Sequence, residues 1–319
     1  MTPPSLVARR SLSAFRHRNF RLMWLGLMVS FTGSQLQFAA LLWHVSLLAP
    51  PGQKGLALGL TGLTRFVPLA LFSLVAGVLA DATDRRRLMY VTQAVSMLSA
   101  GALALLTFRG LDDIWPLYVL SGINAASGAC DAPARQALMT NLVPRHDLAN
   151  ALSLNVLMFH VAAVGGPALA GLVIATMGVG WAYAINAASF VAVLASLLML
   201  RGVQTRPEGG SSDVSFAAAK EGWAFVFSQP LIRSTMLLDF AATFFGSATA
   251  LLPIFVQDVL RVGPREYGLL TASTAIGALA MGILMVPLQR RIERQGRMVI
   301  WSVVAYALAT IGFGFSRTV

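Results

Sequence analysis

The chain has little with which to perform covalent chemistry. Its 319 residues include 1 cysteine and 4 histidines, so no intrachain disulfide can form. Neither His44 nor His160 has a second His, Cys or acidic residue at ligand spacing, and no metal site is expected. A Gly-x-Ser-x-Gly elbow, a Walker loop, a His-Glu-x-x-His pair and the aspartate-rich motif of a membrane prenyltransferase are all missing. Their absence argues against an enzyme and against an ATP-driven pump. Charge is scarce as well, at 12% of residues, and no basic stripe with interleaved aromatics lies on a soluble segment, so the net charge of +11 does not indicate a nucleic-acid partner. The opening residues lack a short apolar stretch followed by a cleavage site, so no removable signal peptide is expected and the first helix would act as the insertion signal.

What the chain has in abundance is apolar surface. With 56% hydrophobic residues and a mean hydropathy of +0.70, it carries more than a soluble domain of this size could bury. An all-α integral membrane protein is expected. Runs of about 20 apolar residues, the length that crosses a hydrocarbon core of roughly 30 Å, fall at 22–48, 56–80, 88–108, 114–139, 149–177, 181–200, 232–259, 267–288 and 299–315. Cys130 lies inside the fourth and reads as a small packing residue. Arginines sort the connections into two sides. One side collects Arg16, Arg18 and Arg21, then Arg85 to Arg87, Arg145, Arg201 and Arg297, whereas the other has only Lys54, Arg109, Arg261, Arg265 and Arg317. By the positive-inside rule the amino terminus is cytoplasmic.

Between residues 202 and 229 the composition turns polar, rich in Gly, Ser and Pro, and then amphipathic with Trp223, Phe225 and Phe227. This reads as a cytoplasmic linker lying partly on the membrane surface. It separates an N-terminal six-helix bundle, residues 1–201, from three helices in 230–319. The two parts echo one another at an offset of about 210 residues: Arg18 to Arg21 against Pro230 to Arg233, Gly59 against Gly268, Arg85 to Arg87 against Gln295 to Arg297. A parallel repeat of this kind suits a transporter that holds its substrate between two halves near the midplane.

Five blocks carry a family resemblance. The hinge GVLADATDRRRLM at 77–89 resembles the loop between the second and third helices of major facilitator superfamily transporters, with Gly77, Leu79, Ala80, Asp81, Arg85 and Arg86 matching the pattern while Ala82 and Asp84 depart from it. TGSQLQFAALLWHV at 32–45, DAPARQALMTNLVPRHDLANALSLN at 131–155, GGPALAG at 165–171 and the segment 237–270 are similar, in order, to the enterobactin-exporter-like drug efflux branch. The resemblance implies a major facilitator fold with a complete N-terminal six-helix bundle and three helices of the second. It also implies proton-coupled efflux of a small amphipathic molecule, a siderophore or a lipophilic drug, across the bacterial inner membrane. Since that fold has twelve helices, the chain is expected to be truncated after its ninth. The alternative is a non-transporting remnant or a membrane partner protein. The expected partners are the substrate and the lipid bilayer, the protein being a monomer, and the expected energy source is the proton gradient rather than a cofactor.

Charged and polar residues within the spans supply the candidate sites, because an ionised group at a helix centre costs about 2.5–3.5 kcal/mol on insertion scales. Asp131 and Arg135 stand four apart on one helix face and, with Asp81, Arg85 and Arg86, are expected to form a gating charge cluster in which Asp131 engages the hinge arginines. Asp239 is the candidate for proton coupling. Gln35, Gln37, Arg65, Asn124 and Asn155 are candidates for the substrate path. Gly165, Gly166, Pro167 and Gly171 match the antiporter-like motif of helix five, where small residues and a missing donor permit close packing and a bend. His44, beside Trp43, reads as an interfacial polar tip.

Overall fold

Among the described residues, nine long helices make up most of the structure. The computed structural model describes residues 13–110, 113–202, 225, 227–246, 248–288 and 295–317. The helices are α1 (Arg18–Leu48), α2 (Lys54–Ala82), α3 (Arg85–Phe108), α4 (Trp115–Thr140), α5 (Leu148–Met177), α6 (Val179–Met199), α7 (Pro230–Gly246), α8 (Pro264–Leu288) and α9 (Gln295–Gly314). The first three begin before their apolar runs, at Arg18, Lys54 and Arg85. A backbone crossing the interface stays hydrogen-bonded as a helix while these long side chains reach water. Most of the linker expected at 202–229 lies outside the described residues.

Local chemistry sets several of the turns. Asp84 caps α3, its carboxylate accepting from the backbone N–H groups of Arg86 at 2.9 Å and Arg87 at 3.1 Å. Gly178, at φ +93, takes the left-handed turn between α5 and α6 that an L side chain would resist. The regular span expected over 232–259 is corrected: α7 is described to Gly246, and from Ala248 the chain runs through a 3-10 turn (Ala248–Leu251), a short α turn (Leu252–Ile254) and a π turn (Phe255–Val259). Pro253 has no N–H to give to a helical ladder. Seven of the described helices are long and apolar enough to cross a membrane by length and composition. The other two are α4, whose Asn124, Asp131, Arg135 and Gln136 lower its hydropathy, and α7, with only 17 residues.

Helix α1 is the axis of the N-terminal bundle. It packs along its length between α5 and α6, while α4 is held between α2 and α3, and α3 closes the ring against α6. The end at which α1 begins, and at which α2 joins α3 and α4 joins α5, is the arginine-rich or basic end. There Phe20, Met23 and Leu27 pack with Leu138, Met158 and Leu197. Towards the opposite end Leu36, Leu41 and Trp43 pack with Leu103, Leu117 and Tyr183. Polar side chains join the helices through these seams, as expected where lipid offers no alternative partner: Asn186 Nδ2 donates to Gln37 Oε1 at 2.7 Å, and Trp24 Nε1 donates to the Leu154 carbonyl at 3.0 Å. His44 is buried and paired with the Tyr183 hydroxyl at 3.1 Å, so it is a core residue of the α1/α6 seam and not an interfacial tip.

The second part meets the bundle chiefly through α8, which crosses α5 near the opposite end. The crossing requires glycine on both sides. A Cβ on Gly268 would lie 2.6 Å from the Pro167 carbonyl oxygen, and one on Gly171 would lie 2.6 Å from that of Pro264. Tyr267 is fully buried against Trp43, with ring centroids 5.1 Å apart, and its hydroxyl donates to the Ala39 carbonyl at 3.1 Å. Lys54 reaches Asp258 at 2.8 Å, and Gln257 Nε2 donates to Ser46 Oγ at 2.7 Å. Towards the basic end α8 parts from the bundle: Ala272 is buried, but Met281, Ile283 and Leu284 are exposed.

Candidate functional site

Two cavities lie along the axis of the molecule. The first, of about 380 Å³, is walled by α1, α2 and α5 of the N-terminal bundle and by α8 and the turn after α7, with Gln35, Phe38, Leu58, Arg65, Tyr267 and Thr271 among its lining residues. The second, of about 480 Å³, lies nearer the basic end inside the N-terminal bundle, with Ser34, Arg65, Gln93, Asn124, Asp131 and Arg135 in its wall. Arg65 is common to both. A third concavity, about 810 Å³ and almost wholly apolar, opens beside α4 between α2 and α3.

Asp131 is the centre of the charged wall. Its Oδ1 accepts from the Thr92 hydroxyl at 3.1 Å and from Gln93 Nε2 at 2.9 Å, and its Oδ2 accepts from Arg135 Nε at 3.1 Å. The Arg135 guanidinium lies 4.6 Å from the Phe31 centroid and 5.4 Å from that of Phe159. Both charges are thereby neutralised and oriented within the bundle. Breaking one member of such a pair costs about 3–5 kcal/mol, because the other is left buried and uncompensated. Arg65 is placed differently. Its guanidinium stands over the Phe38 ring at 4.3 Å, a contact of order 0.5–2 kcal/mol, and it makes no hydrogen bond or ion pair with any described residue.

The structure brings some of the sequence candidates together and separates others. Asn124, Arg65, Asp131 and Arg135 share one cavity, and Gln35 shares the other with Arg65. Gln37 is turned into the α1/α6 seam, and Asn155 lines a separate small pocket beside Gln136 and Thr140. Asp131 does not engage the hinge arginines. Arg85 lies seven residues before Thr92, about 10 Å along α3, and the carboxylate is already occupied by nearer donors. Arg86 instead donates to the Leu198 carbonyl at 3.1 Å. The Asp81 side chain lies outside the described residues. Asp239 is exposed on α7 and has no hydrogen bond or ion pair to a described residue. In the helix-five motif Gly166 is pressed onto α1, where a Cβ would meet Gln35 Cβ at 2.4 Å, while Gly165 has only an ordinary contact at 3.9 Å.

Thr92, Gln93, Phe31 and Phe159 are the participants that sequence reasoning missed. The signal for the first two was present, since adjacent Thr and Gln inside an apolar run must find partners. The two rings carried none, because phenylalanine facing a guanidinium and phenylalanine facing lipid look alike in sequence.

Comparison with known proteins follows the same lines. A family model described as transmembrane secretion effector matches residues 9–319. The enterobactin exporter EntS of Shigella boydii is 27% identical over 299 residues, which covers 93% of this chain and 70% of the exporter. The multidrug efflux pump Tap of Mycolicibacterium fortuitum is 28% identical over 241 residues, covering 73% of this chain and 58% of the pump. Among solved structures, a bacterial homologue of the human lysosomal transporter Spinster, inward-facing and unoccupied, superposes with a TM-score of 0.64 at 16% identity, covering 86% of this chain and 64% of that one. A bacterial homologue of the iron transporter ferroportin, inward-facing, gives a TM-score of 0.57 at 18% identity, with 86% and 69% covered. At these identities the structural likenesses establish the fold.

Proposed function

We propose, from the premise that this chain belongs to the transmembrane secretion effector family of the major facilitator superfamily, that it exports a small amphipathic molecule across the bacterial inner membrane by proton antiport with alternating access. The observation that carries the reading is the asymmetry of contact between the two parts. They interlock through α5 and α8 at the end opposite the arginines, and α8 leaves the bundle towards the basic end. With the amino terminus cytoplasmic, as the arginine distribution favours, this is an arrangement closed to the outside. The cavity between the parts, apolar with a few polar groups, has the character of a small-molecule site.

Asp239 is the proton-coupling residue in this reading. Its carboxylate on α7 has no hydrogen bond or ion pair to a described residue, whereas Asp131 is committed to Arg135. Everted vesicles containing the chain, supplied from outside with a catecholate siderophore or a panel of lipophilic drugs, should accumulate substrate when a proton gradient is imposed. Collapse of the gradient should abolish uptake, and Asp239→Asn should reduce proton-driven uptake at least tenfold while leaving exchange intact. Undiminished uptake by Asp239→Asn would dismiss its role. No uptake of any compound by the unaltered chain would favour the non-transporting alternative.

A further inference from the structure

The solitary guanidinium of Arg65 points to the charge of the substrate. We infer that the site between the two parts of the molecule selects amphipathic anions, gripping a carboxylate or phenolate oxygen on Arg65 while the apolar body lies against Phe38, Leu58 and Tyr267. The inference rests on the exporter reading for its setting and on side-chain geometry for its content.

Arg65 stands about 16 Å along α2 from Lys54, near the middle of a hydrocarbon core of roughly 30 Å. A cation at that depth is among the most costly groups a span can carry, and in membrane proteins such groups are paired or mark a ligand path. The other guanidinium at the site, Arg135, is paired: Asp131 takes its Nε, and the rings of Phe31 and Phe159 face its plane. Among the described residues, Arg65 has one ring beneath it and no anion. The charged groups lining the two cavities are Arg65, Arg135 and Asp131 among the described residues. Since both oxygens of Asp131 are already engaged, one positive charge is left over, and it belongs to Arg65.

That residual charge decides between ligands which the apolar wall does not separate. A cationic amphiphile would meet repulsion with no carboxylate to offset it. A neutral one would leave the guanidinium as it is now. An anion would satisfy it, with the fork of N–H donors suited to two oxygens. Gln35, Thr271 and Thr274 in the same wall supply further neutral hydrogen-bonding groups for the rest of a polar head.

The test uses the purified full chain in lipid nanodiscs at neutral pH and three probes on one scaffold: dansylaminoundecanoic acid, its methyl ester, and the corresponding dansyl alkylamine. Fluorescence titration should show the acid bound about tenfold or more tightly than the ester, the range expected for hydrogen bonds to a charged group, and the amine most weakly. Arg65→Gln should bring the acid down to the affinity of the ester while leaving the ester unchanged, and Arg65→Lys should keep part of the preference. Equal binding of acid and ester by the unaltered chain, an equal loss of both in Arg65→Gln, or binding of neither would overturn the inference. Transport is read separately in everted vesicles. Arg65-dependent binding without transport would leave the anion site standing and remove the exporter reading.

Discussion

The N-terminal group α1 to α6 and the group α7 to α9 both contain helices apolar enough to cross a membrane, yet they are held on different terms. More than half of the apolar window of α1 is buried inside the protein, against none of that of α9. The first group is a bundle with an axis, joined at both ends and through the middle by polar pairs. Among the described residues the second meets it at one end, through the Gly171–Gly268 crossing, Tyr267 and the Lys54–Asp258 pair. A bundle joined along its whole length moves as a body, and a contact confined to one end is a place about which two bodies can turn. The same contrast separates the two arginines: Arg135 is locked within the bundle, and Arg65 faces the gap.

Three substitutions would sharpen or break this contrast. The largest effect is expected within the bundle. Asp131→Ala strands Arg135 together with Thr92 and Gln93 and should lower stability by about 3–5 kcal/mol, read as a fall in the thermal midpoint in detergent. Removing both charges, Asp131→Ala with Arg135→Leu, should recover much of that loss, and a double variant as unstable as the single one would show that the pair is not what is being measured. Next comes the crossing between the parts. Gly268→Leu forces side-chain atoms into the Pro167 carbonyl and should weaken the interlock by about 1–3 kcal/mol, with little effect on the bundle itself. In a Cys130→Ser background, a cysteine at the buried position Ala39 should then react faster with a maleimide supplied at the opposite end, and an unchanged rate would sink the idea that this crossing holds the end shut. The smallest effect belongs to Lys54→Ala. The pair with Asp258 is partly exposed and should contribute about 1 kcal/mol or less, visible as a modest rise in the same labelling rate at low salt that fades as salt screens the pair.

How much of this was legible beforehand varies with the kind of information each feature needs. The placement of the helices was legible because hydropathy is local, and what escaped was the irregular stretch over 248–259, where Pro253 sits within an otherwise apolar run. The spacing of Asp131 and Arg135 was legible too, since residues four apart share a helix face. Their engagement with Thr92 and Gln93, rather than with the hinge arginines, was not. It depends on how far along α3 the two helices meet, and an arginine is as easily counted at one end of a helix as at the other. Gly268 was visible in the internal repeat, but its role in the crossing with Gly171 needed both helices in place.

The chain by itself settled where its apolar runs lie and which few positions would put charge into them. Folding decided that, among the described residues, α1 is surrounded while α9 is not, one arginine has its carboxylate and the other has none, and the two parts meet at a single end. The reason is that lipid and a neighbouring helix are nearly equal as apolar surroundings. A sequence read by hydropathy cannot tell which of the two a face will meet, and the site is made from that choice.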